Sequence, residues 1–225
     1  MTLADLIRRF RVLADDKVQP YLWSDEDVID WLNDAQAQAA VRGRLLREDA
    51  NPAVCNITLA PGVHTYPLHY SVFEIAILRL IPPAGADKPR TIFLKSREWL
   101  DREFSNWRDY PSPARYAIQE DTTLRLVGGF NAGDTLALEC YRLPLKQFTG
   151  TNLTAKPEIH TAHHAHLIQW ALHRAYGIPD GDGFDPQRSE KAEREFTDYF
   201  GPLPDSDMRR TTRVDEVHHN VAVLP

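Results

Sequence analysis

Five of the nine histidines fall in one short stretch, at His160, His163, His164, His166 and His173. Imidazoles one helical turn apart, as His160 and His164 are, can share a metal ion through their ring nitrogens. The stretch lacks the glutamate that serves as general base in a His-Glu-x-x-His site. Drawn at helical spacing, His163, His166, Trp170 and His173 form one stripe, opposite Ala165, Ile168 and Leu172. That stripe faces away from the apolar side of its own helix, so a solvated face or a subunit contact is expected there rather than a metal centre. Asp180-Gly181-Asp182-Gly183-Phe184-Asp185 offers carboxylates as calcium loops do. It lacks their alternation of ligands and the glutamate that closes them, and a helix–helix loop ending in an aspartate cap uses the same residues.

Other chemistry has little support. No glycine loop of the Walker or dinucleotide type is present, and no Gly-x-Ser-x-Gly elbow presents a nucleophile. Gly128-Gly129 stands between two strand-like runs and reads as a hairpin turn. The two cysteines, Cys55 and Cys140, make neither a disulfide framework nor a CxxC site. They are expected to pack in the first and last strands of one β region, in a reducing compartment. Trp107 and Tyr110 occupy a proline-bounded loop, as a contact patch or as buried anchors. No catalytic residue, metal ligand or cofactor is expected.

The elements that must hold these residues follow from periodicity. Ser24 caps a helix whose first turn, Asp25-Glu26-Asp27, puts negative charge at the positive end of the helix dipole. Val28, Leu32, Ala35, Ala39 and Leu46 share one face, with Asp27, Asp30, Asp34 and Arg44 on the other, so this helix is expected over 24–48. Small Ala35, Ala39 and Gly43 let another backbone come close. Thr2 caps an earlier helix over 2–15, and helices over 158–176 and 186–200 follow Pro157. Asp185-Pro186 starts the last of these and Gly201-Pro202 stops it. Strand-like runs lie at 54–59, 64–68, 72–81, 91–95, 115–119, 123–127 and 135–143, with turn residues between them. A short helix over 96–104 interrupts them. The run 72–81 is apolar at nearly every position and is expected to be buried on both faces. The fold class is therefore α+β. A four-helix bundle in α-α-β-α-α order comprises 1–50 and 150–201. An inserted antiparallel β domain, a sandwich or small barrel, spans 51–149, and an extended C-terminal arm spans 202–225.

A chain of 225 residues with 43% hydrophobic and 26% charged residues has the profile of an ordinary globular protein. The net charge is −6. Residues 1–50 hold ten acidic against seven basic groups, whereas 51–145 hold ten of each, so the acidity belongs to the helical parts. No segment is a basic patch, which argues against sequence-specific nucleic-acid binding. No apolar run approaches the ~20 residues of a membrane span. A helix cap stands where a secretion signal would place its apolar core, so secretion is not expected.

Taken together, several segments resemble the head–tail connector (adaptor or neck) proteins of tailed bacteriophages. They are the opening Leu3–Phe10 helix, the run from Leu22-Trp23-Ser24-Asp25 to Ala35-Gln36, Asn106-Trp107, Pro113-Ala114-Arg115-Tyr116-Ala117, His166–Leu172 and Phe196–Gly201. The resemblance covers most of residues 2–201 and implies a non-enzymatic structural virion protein. It implies a homo-oligomeric ring, expected to be a dodecamer, that joins the portal protein to a downstream tail or neck protein at the virion neck after assembly in the host cytoplasm. Double-stranded DNA would pass through the lumen without sequence-specific binding, past acidic surfaces that repel it. No membrane contact is implied. The alternatives are another neck or tail ring, such as a terminator or head-completion protein, and a metal-dependent enzyme using the histidine-rich helix. Expected subunit or partner contacts are His163, His166, Trp170, His173, Trp107 and Tyr110. Val214, Val217, Val221, Val223 and Leu224 would let the arm dock on a neighbouring subunit, on the portal or back on its own subunit.

Overall fold

Thr2 and Ser24 start two helices in the same way. Each hydroxyl accepts from the backbone N–H three residues on, and Asp5 or Asp27 accepts in return from the cap's own N–H. The computed structural model describes residues 1–84, 88–179 and 182–203. In chain order its elements are α1 (Leu3–Ala14), α2 (Asp25–Gly43), β1 (Arg47–Glu48), α3 (Pro52–Cys55), β2 (Asn56–Thr58), β3 (Thr65–Pro67), β4 (Val72–Ile81), β5 (Arg90–Leu94), α4 (Arg97–Glu103), β6 (Tyr116–Gln119), β7 (Thr123–Val127), β8 (Thr135–Arg142), α5 (Leu167–Tyr176) and α6 (Pro186–Phe200). Single 3-10 turns occupy Trp107–Asp109 and Thr161–His166. The described chain divides into two compact units, one of residues 1–48, 71–74 and 141–203 and one of residues 49–70 and 75–140.

The first unit is helical. Leu6 and Phe10 of α1, Val28, Leu32 and Ala35 of α2, Ile168 and Leu172 of α5, and Ala192 and Phe196 of α6 belong to one apolar core. Each fully buried Leu or Phe contributes about 1.5–3 kcal/mol. Trp23 meets Phe10 and Tyr176 edge to face, with ring centres 5.7 and 5.6 Å apart. Polar clamps then fix the chain around that core. The Asn33 side chain both donates to and accepts from the backbone of Phe148, at 3.1 and 2.7 Å. Arg142 binds Glu48 at 3.0 Å and Glu158 at 2.8 Å. Arg11 pairs with Asp16, both nearly buried, and Asp16 also accepts from the Leu22 N–H at 2.9 Å. The loop between α1 and α2 is thereby pinned to α1.

The second unit carries one mixed sheet that curls into a half-barrel, in the order β8-β4-β5-β6-β7-β3, with β2 also on β8. Leu136, Leu138 and Cys140 alternate inward along β8, as a half-buried strand requires. The β2–β8, β3–β7, β4–β5 and β6–β7 pairs are antiparallel, but β5 and β6 run parallel, with Phe93 opposite Tyr116. A parallel pair needs a crossover, and α4 with the loop after it provides one. The expected all-antiparallel sandwich or barrel is corrected to this single mixed sheet.

Six further expectations change. The second helix ends at Gly43 rather than 48, because Arg44 turns left-handed (φ 48) and β1 follows. Residues 54–59 do not form one strand. Asn51 accepts from the Ala53 N–H and Pro52 stands at the first helical position, so a helical turn takes 52–55 and the strand only 56–58. Cys55 thus closes α3 instead of lying in a strand, although both cysteines are buried thiols as expected. β4 is not buried on both faces, since Ala76, Ile77 and Arg79 are exposed while Leu78 and Leu80 point inward. The histidine stretch is not one α-helix, because Thr161–His166 winds as a 3-10 turn before α5 begins. Finally, Gly128-Gly129 is no hairpin turn, as β7 and β8 are not neighbours. Its backbone lies against Ser112 and Ala114, where the Gly129 N–H donates to Ser112 O at 2.8 Å.

Candidate functional site

The switch from 3-10 to α geometry decides where the histidines go. His164 turns inward and is 1% exposed. Its Nδ1 accepts from the Met1 ammonium at 2.9 Å and its Nε2–H donates to Ile159 O at 2.9 Å, which fixes the neutral tautomer. Burial holds its pKa below the usual 6.5, aided by the neighbouring ammonium and His163 and opposed by the bond to Ile159. A histidine spent in this way has no ring nitrogen left for a metal.

The stripe of His163, His166, Trp170 and His173 does not simply face outward. It forms the seat of α6. His163 Nδ1 lies 3.1 Å from the Tyr199 hydroxyl, and the His166 ring stacks on that of Tyr199 with centres 3.4 Å apart. Trp170 packs on Phe196, and the His173 Nδ1–H donates to Ser189 O at 3.2 Å. Burial and the nearby His163 lower the His166 pKa. The edges of all four side chains remain half-exposed. Sequence reasoning missed Arg42, whose guanidinium stands 5.0 Å from the Trp170 ring centre and 5.3 Å from that of Phe196 and donates to Thr197 Oγ1 at 2.8 Å. Desolvation lowers its pKa, opposed by Glu193. An arginine in the last turn of a helix next to small residues is the one signal that could have pointed to it.

In the second unit Trp107 is a buried anchor at 2% exposure and Tyr110 is half-buried. Trp107 belongs to a small core with Leu100, Ile118 and Val127, and its indole N–H donates to Asp101 at 2.8 Å. Bonds from Arg108 and Trp107 hold the Asp101 carboxyl below the usual carboxylate range. Trp107, Arg108, Tyr110, His64, Arg125 and the backbone of Gly128-Gly129 wall a cavity of about 290 Å³. Neither His64 nor Arg125 was singled out from the sequence.

Asp185 caps α6 by accepting from the Gln187 and Arg188 N–H groups, while Asp180 and Gly181 lie outside the described residues. So do Val214, Val217, Val221, Val223 and Leu224 of the arm. Among the described residues no three His, Cys, Asp or Glu side chains converge on a point a metal could occupy, and no helix is long and apolar enough to cross a membrane.

A comparison with curated proteins found no match. A comparison with protein families matched residues 1–217 to the SU10 adaptor protein family. With nearly the whole length aligned, the chain belongs to that family of phage head–tail adaptors, structural proteins rather than an enzyme class.

Proposed function

We propose that copies of this chain form a ring, expected to be a dodecamer, that lies beneath the portal of a DNA-filled capsid and joins it to the tail. The match over residues 1–217 carries this reading. The charge distribution supports it. Residues 1–50 hold ten acidic against seven basic groups, and acidic surfaces lining a channel would let duplex DNA slide without adhering. The helical unit, a four-helix bundle in this reading, supplies the ring contacts. Its half-exposed edge of His163, His166, Trp170 and His173 beside Tyr199 is the surface where copies would meet. The second unit carries, among its surfaces, those for outside partners, the portal protein and the next tail or neck protein. Residues 202–225 act as an attachment arm through Val214, Val217, Val221, Val223 and Leu224.

An image of the native particle at modest resolution tests the ring. Twelve copies between portal and tail are expected. A single copy at the neck would refute the proposal, and a ring placed elsewhere in the neck or tail would make the protein a terminator or completion ring. Purified protein that stays monomeric is compatible with a ring that closes only on a template. Deleting 205–225 should leave the melting temperature of the free chain nearly unchanged and abolish attachment. Normal attachment without the arm would show that it has another role.

A further inference from the structure

Among the described residues no carboxylate pairs with Arg125. It stands on β7 between the buried Leu124 and Leu126, with its guanidinium 5.2 Å from the centre of the Trp107 ring. Its Nε is buried without an acceptor, and the guanidinium makes no hydrogen bond or ion pair with any described residue. On the same indole lies Arg108, at 4.3 Å, whose ion pair is with the half-exposed Asp101. Both arginines, with His64 and Tyr110, wall the cavity of about 290 Å³ described above. A guanidinium laid against an aromatic face keeps its planar fork available to a carboxylate. A cavity of about 290 Å³ has room for a side chain, its walls set Asp109 as the one carboxylate against Arg108 and Arg125 beside the rings of Trp107, Tyr110 and His64, and residues 51–145 are electrically balanced. Duplex DNA would instead need an extended basic stripe that neutralises many phosphates.

The complementary charge is on the helical unit. Glu26, Asp30 and Asp34 follow one another at four-residue spacing on the exposed side of α2. Glu26 and Asp30 have no ion pair or hydrogen bond with any described residue, and Asp34 reaches Arg174 only at 3.9 Å. We propose that the Arg125–Trp107 pocket of one copy receives a carboxylate from the Glu26–Asp30–Asp34 strip of a second copy. The inference rests on the ring reading in that two copies must meet. A contact between two unlike sites is one that a head-to-tail ring can use.

Paramagnetic broadening reports even transient encounters, so mixing two differently labelled full-length samples at high concentration tests the contact in protein that is still monomeric. One is labelled with nitrogen-15. The other is unlabelled and carries a nitroxide on Ala37→Cys, one turn beyond the strip; the native thiols are buried and out of reach of the label. The expected result is broadening of the Trp107 indole signal and the Gly128 and Gly129 amides of the first sample. Arg125→Gln in that sample, or Glu26→Gln with Asp30→Asn and Asp34→Asn in the other, should abolish it, as should added salt. Signals elsewhere in the spectrum report whether Arg125→Gln is folded, and if it is not, the strip variant carries the test alone. Broadening that is absent, or that survives loss of the strip carboxylates, overturns the proposal. So does perturbation of the Trp107 signal by duplex DNA with none by a second copy. The ring itself is judged by copy number at the particle's neck, so a ring without this broadening would refute the contact alone.

Discussion

Replacing Arg11 by methionine strips a buried carboxylate of its cation while keeping a long apolar stem in place. Arg11 is 6% exposed and its partner Asp16 8%. Arg11 has two further contacts, Asp25 at 2.6 Å and the face of Tyr21 at 4.0 Å. The Asp25 side chain is 56% exposed, so that pair is worth no more than about 0–1 kcal/mol. The main loss comes from Asp16. Its bond from the Leu22 N–H survives, but its charge is left in a site closed to water. Breaking a buried pair by removing one partner costs about 3–5 kcal/mol. For a chain of this length the melting temperature should fall by roughly 6–20 °C. Adding Asp16→Asn removes the orphaned charge yet keeps an acceptor for Leu22, so the double variant should regain more than half of the loss. Urea unfolding followed by circular dichroism at a helix wavelength reads all four corners of the cycle. A loss below about 1 kcal/mol for the single variant, or a double variant no more stable than the single, would refute the claim that the pair's burial sets the cost.

Three further outcomes are expected. Leu32→Ala, at a position with no exposure in the helical core, should cost about 2–5 kcal/mol by the same assay; a cost near zero would mean the core can close over the gap. His164 and His166 both have pKa values held below 6.5 in the fold, so the unfolded chain takes up protons the folded chain resists. Their contribution is complete above pH ~6.5 and is lost as pH falls through that value toward the lowered pKa, by at most about 1.4 kcal/mol per pH unit for each group. His164→Gln should flatten that slope, and an unchanged pH profile would remove His164 from the account. Gly128→Ala places a Cβ 2.7 Å from Ser112 O at φ +102, a strain of about 1–3 kcal/mol that should appear as a lowered melting temperature.

Elements with a chemical signal at both ends were legible in the sequence. Helix α6 runs over the expected 186–200 because Asp185-Pro186 can only start a helix there and Gly201, at φ 95, can only stop one. Strands β4 and β7 also keep their expected bounds between turn residues. The misreadings have local causes that periodicity does not carry. Helix α2 stops at a left-handed arginine, which has no sequence signature comparable to a glycine cap. The 3-10 turn at 161–166 changes the angle per residue, and the stripe of His163, His166, Trp170 and His173 drawn at α-helical spacing did not reveal that these residues seat α6. The parallel β5–β6 pair depends on a crossover of about twenty residues, and no pattern within either strand announces it.

The pocket was half legible for the same reason. Trp107 stood out as an aromatic residue in a short loop, but the groups that give the cavity its chemistry come from elsewhere in the chain. His64 precedes β3, which pairs with β7 through Thr65 opposite Arg125, so the sheet register brings His64 and Arg125 to one end of the same ladder. Trp107 follows α4, and the loop continues to Ser112 and Ala114, which lie against Gly128-Gly129. Only that close backbone approach places the indole under Arg125, and it requires glycine at 128, where a side chain would strike Ser112 O. A count of charges over 51–145 sees ten of each sign and reports neutrality. The fold separates them, pairing Arg108 with Asp101 and Arg97 with Glu120 while Arg125 lies on its aromatic base with no ion pair among the described residues. In a family whose members join other virion proteins, a cation stranded by the fold is a better guide to a contact than the regional charge that hides it.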